Sequence, residues 1–150
     1  MIGKHVPGRR PLMAAGFALG LLAASPAGVR AADEGMLTTH VLDTASGKPA
    51  AGMQIDFSVR DGDHYRLIKT VRTNNDGRAD EPLLKGGSMA AGQYRLVFHV
   101  AEYFAKKGAT LPSPPFLDEV PLDFAIADAT THYHVPLLVS PWSYTTYRGS

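Results

Sequence analysis

Hydrophobic side chains that recur at every second residue constrain this chain more than any other feature. In MQIDFSV (residues 53–59), Met53, Ile55, Phe57 and Val59 alternate with Gln54, Asp56 and Ser58. Successive side chains of an extended strand point to opposite faces, so this period predicts a strand with one buried face. YRLIKTV (65–71) and QYRLVFHV (93–100) behave similarly, and residues 37–42, 120–126 and 133–139 read as further strands. SGKPAAG (46–52), RDGD (60–63), NNDG (74–77), KGGS (85–88) and LPSPP (111–115) supply the turn chemistry between them. The one helical candidate is AEYFAKKG (101–108), with good helix formers, two lysines in its last turn and a glycine placed to cap it. About seven or eight strands and one short helix point to an all-β sandwich.

A length of 150 residues fits one domain, and with 45% hydrophobic residues the core needs no covalent staple. The chain has no cysteine, which removes thiol nucleophiles, Cys-ligated zinc and disulfides together. The start of the chain has a different character. Lys4, Arg9 and Arg10 precede the apolar run LMAAGFALGLLAA, and SPAGVRA follows with small residues. This is the pattern of a cleaved export signal over residues 1–31, with Val29 and Ala31 placing cleavage before Ala32. The apolar run is shorter than the ~20 residues that a membrane span needs. Arg9-Arg10 suit a twin-arginine signal and an ordinary basic n-region equally. The expected mature domain is 32–150, located in the periplasm or secreted. Of the fifteen basic residues, Lys4, Arg9, Arg10 and Arg30 fall in the signal, leaving eleven against fourteen acids, a net charge of −3. A nucleic-acid or anionic-membrane partner gains no support from that balance.

Histidine is the chemically interesting residue. His5 lies in the signal, and His64 and His99 stand singly beside apolar strand residues, reading as surface or satisfied core positions. His132 and His134 are two apart in THYHVPLLVSP, so one strand face would carry both while Tyr133, Val135, Leu137 and Val139 point to the core. Such a pair could ligate zinc, but two ligands do not make a site and no third stands at a telling spacing. The default for such a pair is the polar outer face of an edge or interface strand. His40, in phase with Thr38, and Arg78, closing the turn TNNDGR, carry no claim singly. No nucleophile elbow, phosphate-binding loop, dinucleotide fingerprint or His-Glu-x-x-His motif is present. Any catalysis would rest on water activated by histidine and on charge stabilised by arginine.

THVLDTASGKPAAGMQI near the mature start and HYHVPLLVSPWSYTTYRGS at the end resemble the two signature segments of the transthyretin fold family. The likeness extends over the chain after the signal, including TNNDGR and the short helix. It implies a transthyretin-like sandwich of two four-stranded sheets and a homotetramer built as a dimer of dimers. One branch of the family carries thyroid hormone and the other hydrolyses 5-hydroxyisourate, a product of urate oxidation. The hydrolase branch is marked by a histidine in the first strand, an arginine after the Asp-Gly turn, a histidine in the His-x-Pro-Leu segment and a terminal Tyr-Arg-Gly-Ser. Here these are His40, Arg78, His134 and residues 147–150.

The resemblance therefore implies a cofactor-free and metal-free hydrolase giving 2-oxo-4-hydroxy-4-carboxy-5-ureidoimidazoline. His40 and His134 would share the proton transfers, in an order left open, and Arg78 would clamp substrate oxygens or stabilise the oxyanion. Tyr147 would contact the ring, and Arg148 and Ser150 would fix the tail, with Ser150 a further candidate for bonding substrate. His132 is a secondary candidate. Two other readings stand beside this one: a periplasmic carrier of a small aromatic ligand without catalysis, and a sandwich adaptor whose tail is dispensable.

Overall fold

The computed structural model describes residue 3 and residues 34–150. Apart from Gly3, the expected export signal lies outside the described residues. In chain order the elements are β1 (Met36–Asp43), β2 (Lys48–Pro49), β3 (Gln54–Asp61), β4 (His64–Arg72), β5 (Leu84–Lys85), β6 (Gly92–His99), α1 (Val100–Lys106), β7 (Glu119–Ile126), β8 (His132–Val139) and β9 (Tyr144–Thr146). One sheet runs β2-β1-β8-β9 with β5 also on β1, and the other runs β4-β3-β6-β7. The first sheet thus has five strands where four were expected. The addition comes from two-residue strands at opposite ends of β1, with Leu42 opposite Pro49 and Met36 opposite Lys85.

The alternation read from sequence is the alternation of burial. Along β1, Leu37, Thr39, Val41 and Asp43 are buried while Met36, Thr38, His40 and Leu42 are half-buried. Leu37, Val41, Ile55, Phe57, Leu96, Phe98, Leu137 and Val139 meet between the sheets with no exposed surface. Each such side chain contributes about 1.5–3 kcal/mol by leaving water. Among the buried polar residues Asp43 carries the one carboxyl group, and both of its oxygens have partners. Its Oδ1 accepts from the amides of Ala45 and Ser46, and its Oδ2 accepts from the Tyr103 hydroxyl at 3.2 Å. Burial, with that carboxylate beside it, pushes the Tyr103 phenol up to about 12.

The structure departs from the sequence reading at β4. The register against β3 shifts between Phe57, opposite Lys69, and Ser58, opposite Leu67, which leaves Ile68 as the extra residue of a bulge. A bulge breaks the two-residue period. Leu67 and Ile68 are accordingly both exposed, on a strand that forms the edge of its sheet. Helix α1 begins one residue before the expected start, buries Val100, Ala101, Tyr103 and Phe104, and ends at Lys106, with Gly108 at positive φ just beyond its C-cap Lys107.

Candidate active site

The site lies on the outward face of the first sheet, where β1 and β8 run parallel and in register from Met36 opposite His132 to Asp43 opposite Val139. Because Thr38 faces His134 and His40 faces Pro136, residues nearly a hundred apart in sequence share one patch. The imidazoles of His40 and His134 are 6.5 Å apart between ring centroids. The Thr38 hydroxyl lies 2.8 Å from Nδ1 of His134.

Arg78 arrives through its turn. The Asn74 side-chain oxygen accepts from the amides of Asp76 and Arg78, and the Gly77 amide returns to the Asn74 carbonyl. The Val41 amide donates to the Gly77 carbonyl at 2.8 Å, pinning this turn onto β1 and bridging Arg78 to His40. Only glycine fits at position 77. Its φ is +72°, and a Cβ there would sit 2.4 Å from the Val41 carbonyl oxygen and 3.2 Å from Cδ2 of His40. The sequence Asn-Asp-Gly-Arg is therefore a device for setting a guanidinium beside an imidazole.

The tail completes the patch by an interrupted ladder. Strand β9 pairs with β8 as far as Thr146 opposite Leu137, and the next position of β8 is Pro136. Proline has no N–H for the Tyr147 carbonyl, and its own carbonyl accepts from the Thr146 hydroxyl at 2.7 Å. Pairing resumes at Gly149, which exchanges both backbone hydrogen bonds with His134 at 2.8 and 3.1 Å.

Tyr147 and Arg148, between those points, line a separate groove of 310 Å³ with Leu122, Phe124, Tyr133 and Val135. The Arg148 guanidinium sits 4.8 Å above the Tyr133 ring and donates to the His132 carbonyl at 3.5 Å. A second cavity of 250 Å³ is lined by Met36, Thr38, Arg78, His132, Tyr133, His134 and Ser150. Within one chain, then, His134, Arg78, Ser150 and the secondary candidate His132 converge. His40 adjoins them through His134, and Tyr147 lies along the groove instead. Thr38 escaped the sequence reading because its partner is fixed only by strand register.

Electrostatics favour neutral imidazoles. Burial lowers the pKa of His134, with the charges of Arg78 and His40 adding in the same direction. Burial and Arg78 likewise lower that of His40, against the neighbouring Asp76, whose backbone and charge act to raise it. Both rings therefore stay uncharged at pH 7, able to accept a proton beside a permanent positive charge.

This fold, with parallel β1 and β8 and such a face, is that of a transthyretin-like sandwich. Residues 37–149 match the model of the HIUase/Transthyretin family. The chain is 60% identical over 116 residues to 5-hydroxyisourate hydrolase 2 of Rhizobium meliloti (strain 1021), covering 77% of this chain and 97% of that protein. A crystal structure of (S)-allantoin synthase matches with 49% identity and a TM-score of 0.74 over 78% of this chain, which spans 44% of that longer one. Sea bream transthyretin, solved in complex with thyroxine, matches at 30% identity and a TM-score of 0.67, over 75% of this chain and 93% of its own. The chain belongs to the HIUase/Transthyretin family.

Proposed function

We propose that this chain is an enzyme that hydrolyses 5-hydroxyisourate to 2-oxo-4-hydroxy-4-carboxy-5-ureidoimidazoline, with His40, His134 and Arg78 as its catalytic residues. The observation that carries the reading is the pair of neutral imidazoles 6.5 Å apart beside the Arg78 charge. A binding protein for an aromatic ligand has no need of that arrangement.

The chemistry adds water across a cyclic amide. One imidazole takes a proton from water as its oxygen bonds to the carbonyl carbon. Arg78 holds the oxyanion that forms, and the C–N bond then breaks as its nitrogen receives a proton. His40 suits the first role, since the Asp76 backbone and charge beside its ring favour its taking up a proton. Ser150 lines the cavity and can bond the substrate, whereas Tyr147 would reach it by closing over the groove or from another chain.

At 250 Å³ the cavity is slightly smaller than the ~300–1,000 Å³ usual for ligand sites, which suits a small planar ring and leaves a wall to be supplied. A homotetramer, arranged as a dimer of dimers with the β1–β8 faces opposed, would supply that wall. The basic start, apolar run and small-residue end of residues 1–31 support export to the periplasm as the cellular setting.

The test follows the ultraviolet band of 5-hydroxyisourate, made fresh by oxidising urate, with and without the 32–150 domain in the presence of chelator. Accelerated decay is the expected result. Decay at the uncatalysed rate would overturn the reading in favour of a ligand carrier.

A further inference from the structure

We propose that Thr38 is a positioning residue, its hydroxyl donating to Nδ1 of His134 so that the imidazole carries its proton on Nε2 and presents it to the cavity. The catalytic meaning of this rests on the hydrolase reading, but the tautomer does not.

Geometry carries the argument. Thr38 stands directly opposite His134 in the parallel ladder, and Oγ1 lies 2.8 Å from Nδ1. Among the described residues the Thr38 hydroxyl makes no other hydrogen bond. A half-buried hydroxyl whose sole protein partner is an imidazole nitrogen satisfies its one proton by donating it there. The opposite side of the ring is held as well. A Cβ at position 149 would lie 3.0 Å from Cβ and 3.1 Å from Cδ2 of His134, so the tail backbone rests against the ring edge. With Thr38 on the Nδ1 side and Gly149 on the Cδ2 side, the Cε1–Nε2 end is left for the cavity.

Donation to Nδ1 makes His134 a donor at Nε2, complementary to His40 as acceptor. The pair then divides the work: His40 takes a proton from water, and His134 donates a hydrogen bond from Nε2 to the carbonyl oxygen as charge develops there. The proton held on His40 passes to the leaving nitrogen as the C–N bond breaks, restoring both neutral rings. A tautomer imposed by an outer hydrogen bond is a common means of giving two histidines different roles.

The experiment is a two-bond proton–nitrogen correlation spectrum of the ¹⁵N-histidine-labelled domain at pH 7.5, read alongside turnover, for wild type, T38V and T38S. His134 should show the Nε2–H pattern in wild type and T38S and a mixed tautomer in T38V. Turnover should fall ~10-fold in T38V with KM within about twofold, and recover in T38S. An Nδ1–H pattern in the wild type would overturn the assignment without reference to any variant. Wild-type turnover in a folded T38V would overturn the positioning role. A wild type inactive on 5-hydroxyisourate, yet showing the Thr38-dependent Nε2–H signal, would remove the hydrolase reading and support the tautomer assignment.

Discussion

Each sheet of this sandwich carries histidine on its outward side, and the two environments are electrostatic opposites. On the first sheet, His40 and His134 face each other and Arg78, and the nearest polar partner of His134 is an uncharged hydroxyl. On the second, His99 at the end of β6 contacts carboxylates on both sides, Asp56 at 2.8 Å and Glu119 at 3.5 Å. Gln54 and Thr70 extend that network, and the Arg95–Asp123 pair lies further along the same sheet. A histidine between carboxylates has both ring nitrogens occupied in holding strands together. One beside an arginine stays neutral and its lone pair stays available. The residue type is shared; the sign of the neighbouring charge separates a strut from a reagent.

The comparison can be broken most sharply by deleting residues 147–150. That removes Ser150 and both backbone bonds to His134. Activity should fall by ~100-fold or more while the sandwich stays folded, measured by turnover and circular dichroism. Full activity would make the tail ornamental. His40→Asn and His134→Asn should each cost ~100-fold in turnover with the fold intact, whereas His99→Asn should leave turnover within about twofold. Equal losses at all three positions would erase the distinction between the sheets.

Arg78→Gln should cost ~10-fold or more and change the pH profile as well. The Arg78 charge lowers both site histidines, so its removal raises them. The acid limb of kcat/KM, lying below pH 6.5 in the wild type, should therefore move upward in the variant. A limb that stayed in place would show that Arg78 does not set the protonation state.

The smallest effect belongs to the second sheet. Asp56→Asn should cost about 1 kcal/mol of stability in denaturant titration and leave turnover unchanged. Hydrogen bonds from Thr70 and His99, with the charge of His99, outweigh burial and hold the Asp56 carboxyl below its usual range. A depressed folded pKa stabilises above the unfolded value near 3.8 and is lost as pH falls through the folded value. The wild-type and Asp56→Asn denaturation midpoints should therefore converge in acid below pH 3.8.

The amino-acid pattern alone determined the class of fold, because a two-residue period with turn residues between runs has few solutions other than a two-sheeted sandwich. It also determined that His132 and His134 share a face, and that Asn-Asp-Gly would turn tightly before Arg78. Both are local facts, settled by the pleat of a strand and by one positive φ. Tertiary structure alone decided the rest. The bulge at Ile68 exposed a strand that reads as amphipathic, because pairing register is set by the neighbouring strand. Tyr147 lines its groove with Leu122 and Phe124 of the other sheet, neighbours that its place in the chain does not reveal. Thr38 met His134 across 96 residues through a parallel register that no spacing along the chain encodes. Side-chain chemistry is written residue by residue, but which imidazole nitrogen is held and which is left bare depends on a partner that only folding brings within 3 Å.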